Sequence, residues 1–217
     1  DTKMIGVATG IAASSGSNLT IAGSGVTQTI HNDTKALIDG TTITATDMFV
    51  EAESKSNLVS VAGLVSAGHN ANAAVGAAVS IVNSDSDTSA TINNATINAQ
   101  DVIVQAISNN ESMNVAIGLS VAAGSNASLS GAGNVATNNI ANDTTVTIAG
   151  TTIDASGTVA ALANSNEVLR NYGGAASVSA NSGSISAALG GTVVVNTITG
   201  NTNAIVLNSN IVALGGG

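Results

Sequence analysis

The stretch "TIAGTTIDAS", residues 147–156, decides how this chain is read, because near copies of it stand at three other places. They are "LIDGTTITAT" from Leu37, "TINNATINAQ" from Thr91 and "IVLNSNIVAL" from Ile205. Successive phrases start 54, 56 and 58 residues apart (37 to 91, 91 to 147, 147 to 205). A fixed period of this size marks a repeat architecture and takes precedence over any search for domain boundaries. The chain therefore reads as one domain, 1–217, of four repeats at approximately 4–59, 60–114, 115–171 and 172–217.

Within each phrase apolar residues alternate with polar ones. Ala36 and Ile38 correspond to Ala90 and Ile92, Val146 and Ile148, and Ala204 and Val206. After a short gap come Ile43 and Ala45, Ile97 and Ala99, Ile153 and Ala155, and Ile211 and Ala213. A period of two with β-branched residues predicts strands that bury one face. A third short strand is predicted at Met48, Val50 and Ala52, at Val102, Val104 and Ala106, and at Thr158, Ala160 and Leu162. Between the first two strands of each phrase one column reads Gly40, Asn94, Gly150, Asn208. Gly and Asn share a tolerance for the left-handed backbone region, so a corner with positive φ is expected there.

The rest of each repeat is rich in Gly and Ala, as in "VAGLVSAGHNANAAVGAAVSIV" from Val61. It reads as two longer strands around an "AGHN" or "SGSN" turn, with small residues where two sheets come close. Helix is the competing reading of the Ala-rich runs, but each interior Gly costs about 1 kcal/mol relative to Ala in a helix. Units that cannot bury an apolar face alone must stack, so the expected fold is all-β, a parallel β-helix (β-solenoid) with repeats of about 55 residues. The crossover preference of parallel strands makes it right-handed. A single broad coil per repeat is expected rather than two small ones, because the Gly or Asn corner occurs once per unit.

Composition narrows the function. The apolar share is 44%, but it is nearly all Ala, Val, Ile and Leu; Phe49 and Tyr172 are the only aromatics, and Trp, Pro and Cys are absent. The basic residues are Lys3, Lys35, Lys55 and Arg170 against thirteen acidic ones, a net charge of -9. Phosphate backbones and anionic lipid surfaces need clustered cations, so no nucleic-acid partner is expected. No apolar run approaches the ~18 residues of a membrane-spanning helix, and no membrane insertion by this segment is expected. "DTKMIGVATG" at the start lacks signal-peptide features and begins in mid-pattern, as a fragment or mature segment would.

His31, Asp33 and Asp39 in "IHNDTKALID" offer a base, acids and oxygen ligands, but only the Asp-Thr pair recurs, at Asp87-Thr88 and Asp143-Thr144. That recurrence is read as a turn in which Asp accepts backbone amides. Asp85 and Asp87 have the alternate spacing of calcium ligands, yet no calcium nonapeptide or EF-hand Glu accompanies them, so they are read as solvated turn charges. His69 in "SAGHNAN" is read as exposed decoration at a turn. Asn-x-Ser/Thr occurs at Asn18, Asn32, Asn94, Asn110, Asn126 and Asn142, as composition alone would produce. No nucleophile elbow, phosphate loop or zinc motif is present, and the aromatic and basic residues are too few for a sugar-cleaving cleft. No catalytic, cofactor-binding or metal residue is assigned, no cofactor is expected, and the chain is read as a non-enzyme. Thr42 and Thr44 satisfy the Thr-x-Thr ladder of an ice-binding solenoid, but the ladder decays through Thr96 and Asn98 to Thr152 and Asp154, then Asn210 and Val212.

The segments "GAAVSIVNSDSDTSATINNATINAQDVIVQA" (76–106) and "GAGNVATNNIANDTTVTIAGTTIDASGTVAALA" (131–163) resemble the repeats of large exported leukotoxin-like or haemagglutinin-like filamentous adhesins of Gram-negative-type bacteria. The resemblance runs through all 217 residues, although the fourth unit has Asn201-Thr202 in place of Asp-Thr and stops at "ALGGG" before a third strand. It implies a long β-helical stalk on the cell surface, or one released by a type V secretion route. The expected function is thus a non-catalytic structural or adhesive segment of a bacterial surface or secreted filament, with a host-cell or surface receptor as partner. Uncapped solenoid ends present unpaired strand edges, so neighbouring segments or further copies are expected to join end to end. The alternative is a binding module for ice or glycan.

Overall fold

The structure is a computed structural model; it describes residues 1–215 apart from Ser17, Ser125, Asn126 and Ser184. The "SGSN" turn, the sequon at Asn126 and the "ALGGG" end therefore fall partly or wholly outside the described residues. Thirteen strands, and no helix among the described residues, make up the chain. In order they are β1 (Thr2–Ser15), β2 (Leu19–Asp39), β3 (Thr42–Thr44), β4 (Asp47–His69), β5 (Ala73–Asn93), β6 (Thr96–Ala99), β7 (Asp101–Gly124), β8 (Ala127–Ala149), β9 (Thr152–Ala155), β10 (Val159–Asn181), β11 (Ile185–Thr199), β12 (Thr202–Leu207) and β13 (Asn210–Ala213). Sheet A stacks β1-β4-β7-β10, sheet B stacks β2-β5-β8 and then β11 with β12, and sheet C stacks β3-β6-β9-β13.

All pairings are parallel, and their registers show one coil per repeat. Strands pair at an offset of 54 through the first two coils (Thr2 with Ser56, Leu19 with Ala73, Asp47 with Asp101). The offset becomes 56 between β5 and β8, 57 between β7 and β10, and 58 between β8 and β11. Each increment falls between strands, never within one, so the uneven spacing of the four phrases is absorbed at corners while every ladder stays in register. The expected corner is present in all four coils: φ is +60° at Gly40, +50° at Asn94, +58° at Gly150 and +49° at Asn208. At the opposite, tight edge Asn70 has φ +57° and Gly16 +76°.

Three expectations are corrected. The short third strands are not separate elements: Met48, Val50 and Ala52 open β4, which runs unbroken for 23 residues. Nothing in "SKSNLVS" (54–60) interrupts it, because alternation continues and no Pro intervenes. In the third repeat the inward residues are Val159, Ala161 and Ala163, not Thr158, Ala160 and Leu162. One extra residue separates Ala155 from Val159 relative to Ala99 and Val102, and a slip of one reverses every side chain. The corner holding it has Thr158 N donating to Asp101 Oδ1 (2.6 Å), and a Cβ on Gly157 would stand 2.4 Å from that oxygen. Finally, the Asp-Thr pairs lie in mid-strand in β2, β5 and β8, not in turns. The parallel ladder already partners their backbone, so the Asp points out and the Thr in, with Thr88 and Thr144 buried. Only in the fourth coil, where the ladder breaks between β11 and β12, does Asp143 Oδ1 accept the Asn201 amide, at 2.8 Å.

Sheets A and B face one another across an interior of two kinds. Beside sheet C the core is apolar, with Ile92, Ile97, Val102, Val104, Ile148 and Ile153 fully buried. Toward the tight edge two small apolar clusters, Ile30 with Leu58 and Val82 and Leu64 with Ala22, Ala62 and Ala78, are interleaved with small and polar side chains that bond across the gap, including Ser60 to Ser80 (2.6 Å) and Asn114 Nδ2 to the Thr137 carbonyl (2.9 Å). The sheets approach so closely there that a Cβ on Gly10 would lie 2.1 Å from the Gly23 carbonyl oxygen. Edge strands β1, β2 and β3 lie open at one end of the stack, and β10 to β13 at the other. Val206 keeps register with Ile148, yet it is exposed because no coil covers it.

The corner can be tested apart from packing, since a Cβ on Gly40 would meet nothing within 4 Å. Gly40→Ala is expected to cost about 1 kcal/mol through the left-handed backbone alone, and Gly40→Asn much less. Gly63→Ala, equally open but on an ordinary strand backbone, is expected to be neutral or stabilising. Urea unfolding of the three variants checks this ordering.

Candidate functional site

Because outward positions repeat every second residue along a strand and every coil across it, each outer face is a grid of side-chain columns. On sheet B one column reads His31, Asp85, Ala141; the next reads Asp33, Asp87, Asp143, Asn201; the next Lys35, Ser89, Thr145. His31 Nδ1 lies 3.1 Å from Asp85 Oδ2 and Lys35 Nζ lies 2.7 Å from Asp33 Oδ2, all four side chains being exposed. Asp39 stands three columns from Asp33, about 20 Å along the strand, and accepts from Asn94 instead (3.4 Å). His31, Asp33 and Asp39 are thus not drawn together. Asp85 and Asp87 point outward side by side without converging, and no group of three His, Asp or Glu residues among the described residues is placed to hold a metal ion. His69 ends β4 and is exposed.

Lys35 is held above the ordinary lysine value of 10.5, first by its hydrogen bond to Asp33 and then by the charge of Asp33; desolvation opposes them, and the charge of Asp87 adds least. Sheet C aligns Thr42, Thr96 and Thr152 with Asn210 in one exposed column, and Thr44, Asn98, Asp154 and Val212 in the next. Of the sequons, Asn110 and Asn142 are buried, at 3% and 4% exposure, and closed to modification in the folded chain, whereas Asn18 and Asn94 are exposed.

Two features escaped sequence reasoning because their residues come together only across coils. The first is a polar groove of about 300 Å³ on the outer face of sheet A, lined chiefly by Glu53, Lys55, Asn57, Asn109, Glu111 and Asn166. Glu111 is also engaged by Arg170. Such a groove offers donors and acceptors without an aromatic platform. The second is Glu167, which takes an inward position in β10 aligned with Asn110 and Ser56. Its Oε1 accepts from Asn110 Nδ2 (3.1 Å), Ser165 Oγ (3.0 Å) and Asn142 Nδ2. Counting 57 residues on from the inward Asn110 would have located it, but that register depends on the inserted corner residue.

No protein-family model, curated protein or solved structure matches the chain.

Glu167→Ala is expected to destabilise the last coils by about 1–3 kcal/mol, because three donors lose their acceptor; Glu167→Gln should cost less, and differential scanning calorimetry separates the two. The Lys35 pair has the opposite character. Whatever it contributes is present below pH 10.5 and is lost as pH rises through the raised lysine value. Asp33→Asn should therefore lower the Lys35 titration midpoint seen by NMR and leave the unfolding midpoint at pH 7 unmoved, as befits an exposed pair.

Proposed function

We propose that this chain is a non-catalytic structural and adhesive β-helical segment of a bacterial cell-surface or secreted filament, of the filamentous-adhesin kind its repeats resemble. It joins neighbouring solenoid segments, or copies of itself, end to end, and presents its outer columns to a surface receptor. The observation that carries this reading is the register of the stack, in which three parallel sheets repeat coil on coil through all four repeats. Unpaired N–H and C=O groups line β1 and β2 at one end and β10 and β11 at the other, and such edges template pairing with a further coil. The strand phase needed for continuation is the one that already links four coils. Long parallel ladders resist bending and leave few exposed backbone groups to a protease, which suits a stalk.

The second reading, a glycan- or ice-binding module, draws on the polar groove of sheet A and the threonine column of sheet C. Glycan arrays and thermal hysteresis separate these from the first.

Negative-stain electron microscopy over a concentration series, with light scattering for mass, tests the primary reading. Fibres of uniform width that lengthen with concentration are expected. Short rods that remain monodisperse at every concentration would refute end-to-end joining.

A further inference from the structure

The charges are not spread evenly. Residues 4–30, 56–84, 112–142 and 171–217 contain no Asp, Glu, Lys or Arg, so all of the -9 net charge lies outside them. In the fold these four runs coincide: each leads along sheet A into the tight edge and back along sheet B, and the fourth continues through β12 into sheet C. One half of the flat solenoid is thus acidic outside and apolar within. The other half is uncharged, has an interior of small, polar and a few aliphatic side chains, and is apolar outside.

The outer face of sheet B in this uncharged half has relief. A ridge column carries Ile21 (65% exposed), Val75 (41%) and Leu189 (75%), with Gly131 between the last two. Beside it runs a column of small residues, Gly23, Ala77, Gly133 and Gly191; over Gly131, Gly133 and Gly191, between Val75 and Leu189, it opens into an apolar trough of about 470 Å³. A Cβ on Gly133 or Gly191 would meet nothing within 4 Å. Packing inside the molecule does not call for glycine there, and glycine weakens a strand unless something approaches its backbone closely.

We infer that this face pairs with the same face of a second copy of the chain, about a two-fold axis that runs along the stacking direction between the ridge and trough columns. That rotation sets the ridge of each copy over the trough of the other. It also sends the two acidic halves to opposite sides, so the pair overlaps only where neither copy is charged. Four outward columns about 6.7 Å apart, those of Leu19, Ile21, Gly23 and Gly25, and four rungs about 4.8 Å apart make roughly 500 Å² per copy. The total of about 1,000 Å² reaches the lower limit of a specific interface, and every further coil would add to it. A lipid bilayer fits the face less well, because it would desolvate the open backbone edges of β2 and β11. The lateral contact is independent of end-to-end joining.

The full chain, which has no Cys of its own, is suited to single-site spin labelling. With a label at Asn83→Cys, seven residues from the proposed axis, face pairing gives an electron–electron distance of about 45–50 Å, whereas end-to-end stacking of four rungs gives about 19 Å. The longer distance is expected, with light scattering showing twice the 20.8 kDa monomer mass or multiples of it. Val75→Glu and Leu189→Glu, both on exposed side chains, should abolish that distance with an unchanged circular dichroism spectrum. A distance of 19 Å alone would overturn the lateral pairing and leave end-to-end joining standing. Monomer mass throughout, with no dipolar coupling, would overturn both. Co-sedimentation of monomers with phosphatidylcholine vesicles would assign the face to lipid and overturn the pairing.

Discussion

Each central strand is held by parallel backbone hydrogen bonds to the strand one coil before and one coil after it, and the rest of the structure follows from keeping those ladders in register. An insertion inside a strand would reverse every side chain beyond it. Insertions are accordingly confined to corners, which is why the offset grows from 54 to 58 while Ile97 still lies over Ile43 and Ile153 over Ile97. The corner itself needs a left-handed residue to leave sheet B for sheet C, and the column Gly40, Asn94, Gly150, Asn208 supplies one in every coil. Ladder and corner are complementary constraints: one fixes where the chain must be straight, the other where it turns.

What was legible in the sequence is what has a local physical cause. Positive φ restricts residue type at a single position, so the Gly or Asn column could be read without knowledge of the fold. Alternation in the phrases marked the apolar core for the same reason. Properties set by neighbouring coils could not be read this way. Asp33-Thr34 has the composition of a turn, but a residue whose amide and carbonyl are taken by adjacent rungs has no need to turn. The slip at Val159 depends on one residue in a corner, and nothing in "ASGTVAALA" indicates which side of the slip Leu162 falls on. Glu167 and the groove on sheet A are assembled from separate coils, and a linear reading gives them no common feature.

The Gly- and Ala-rich half poses a deeper version of this problem. Period-two alternation alone does not say which set of residues faces inward, and in "LVSVAGLVS" (58–66) both sets are plausible. The structure resolves it by continuity. β4 runs from Asp47 to His69 without a bulge, so the phase imposed by Met48 and Val50 in the apolar core carries on to Ser60, Ala62 and Ser66 inside, and leaves Val59, Val61 and Val65 outside. Hydrophobicity decides the phase at one edge, and covalent continuity transmits it to the other. There, close approach of the sheets favours Ser, Ala and Gly, whose small size matters more than their polarity. Asn side chains fill the wider parts by bonding the opposite backbone, as Asn114 and Asn171 do.

This arrangement constrains where recognition can occur. The interior is occupied and the interior strands' backbone groups are engaged in ladders, so outer side chains stand on a grid of about 4.8 Å by 6.7 Å. On such a grid neighbouring residues are parallel rather than convergent. Asp33, Asp87 and Asp143 therefore form a line, and His31 meets Asp85 at the surface without a third group to complete a catalytic set. Convergence requires curvature or a loop, and the strands of sheets A and B are too regular to provide much of either. A surface of this kind gains affinity by matching many weak contacts over a length, and each added coil extends the match without new design. The same regularity, in which each rung repeats the spacing of the last, suits extended contact with another repeating surface.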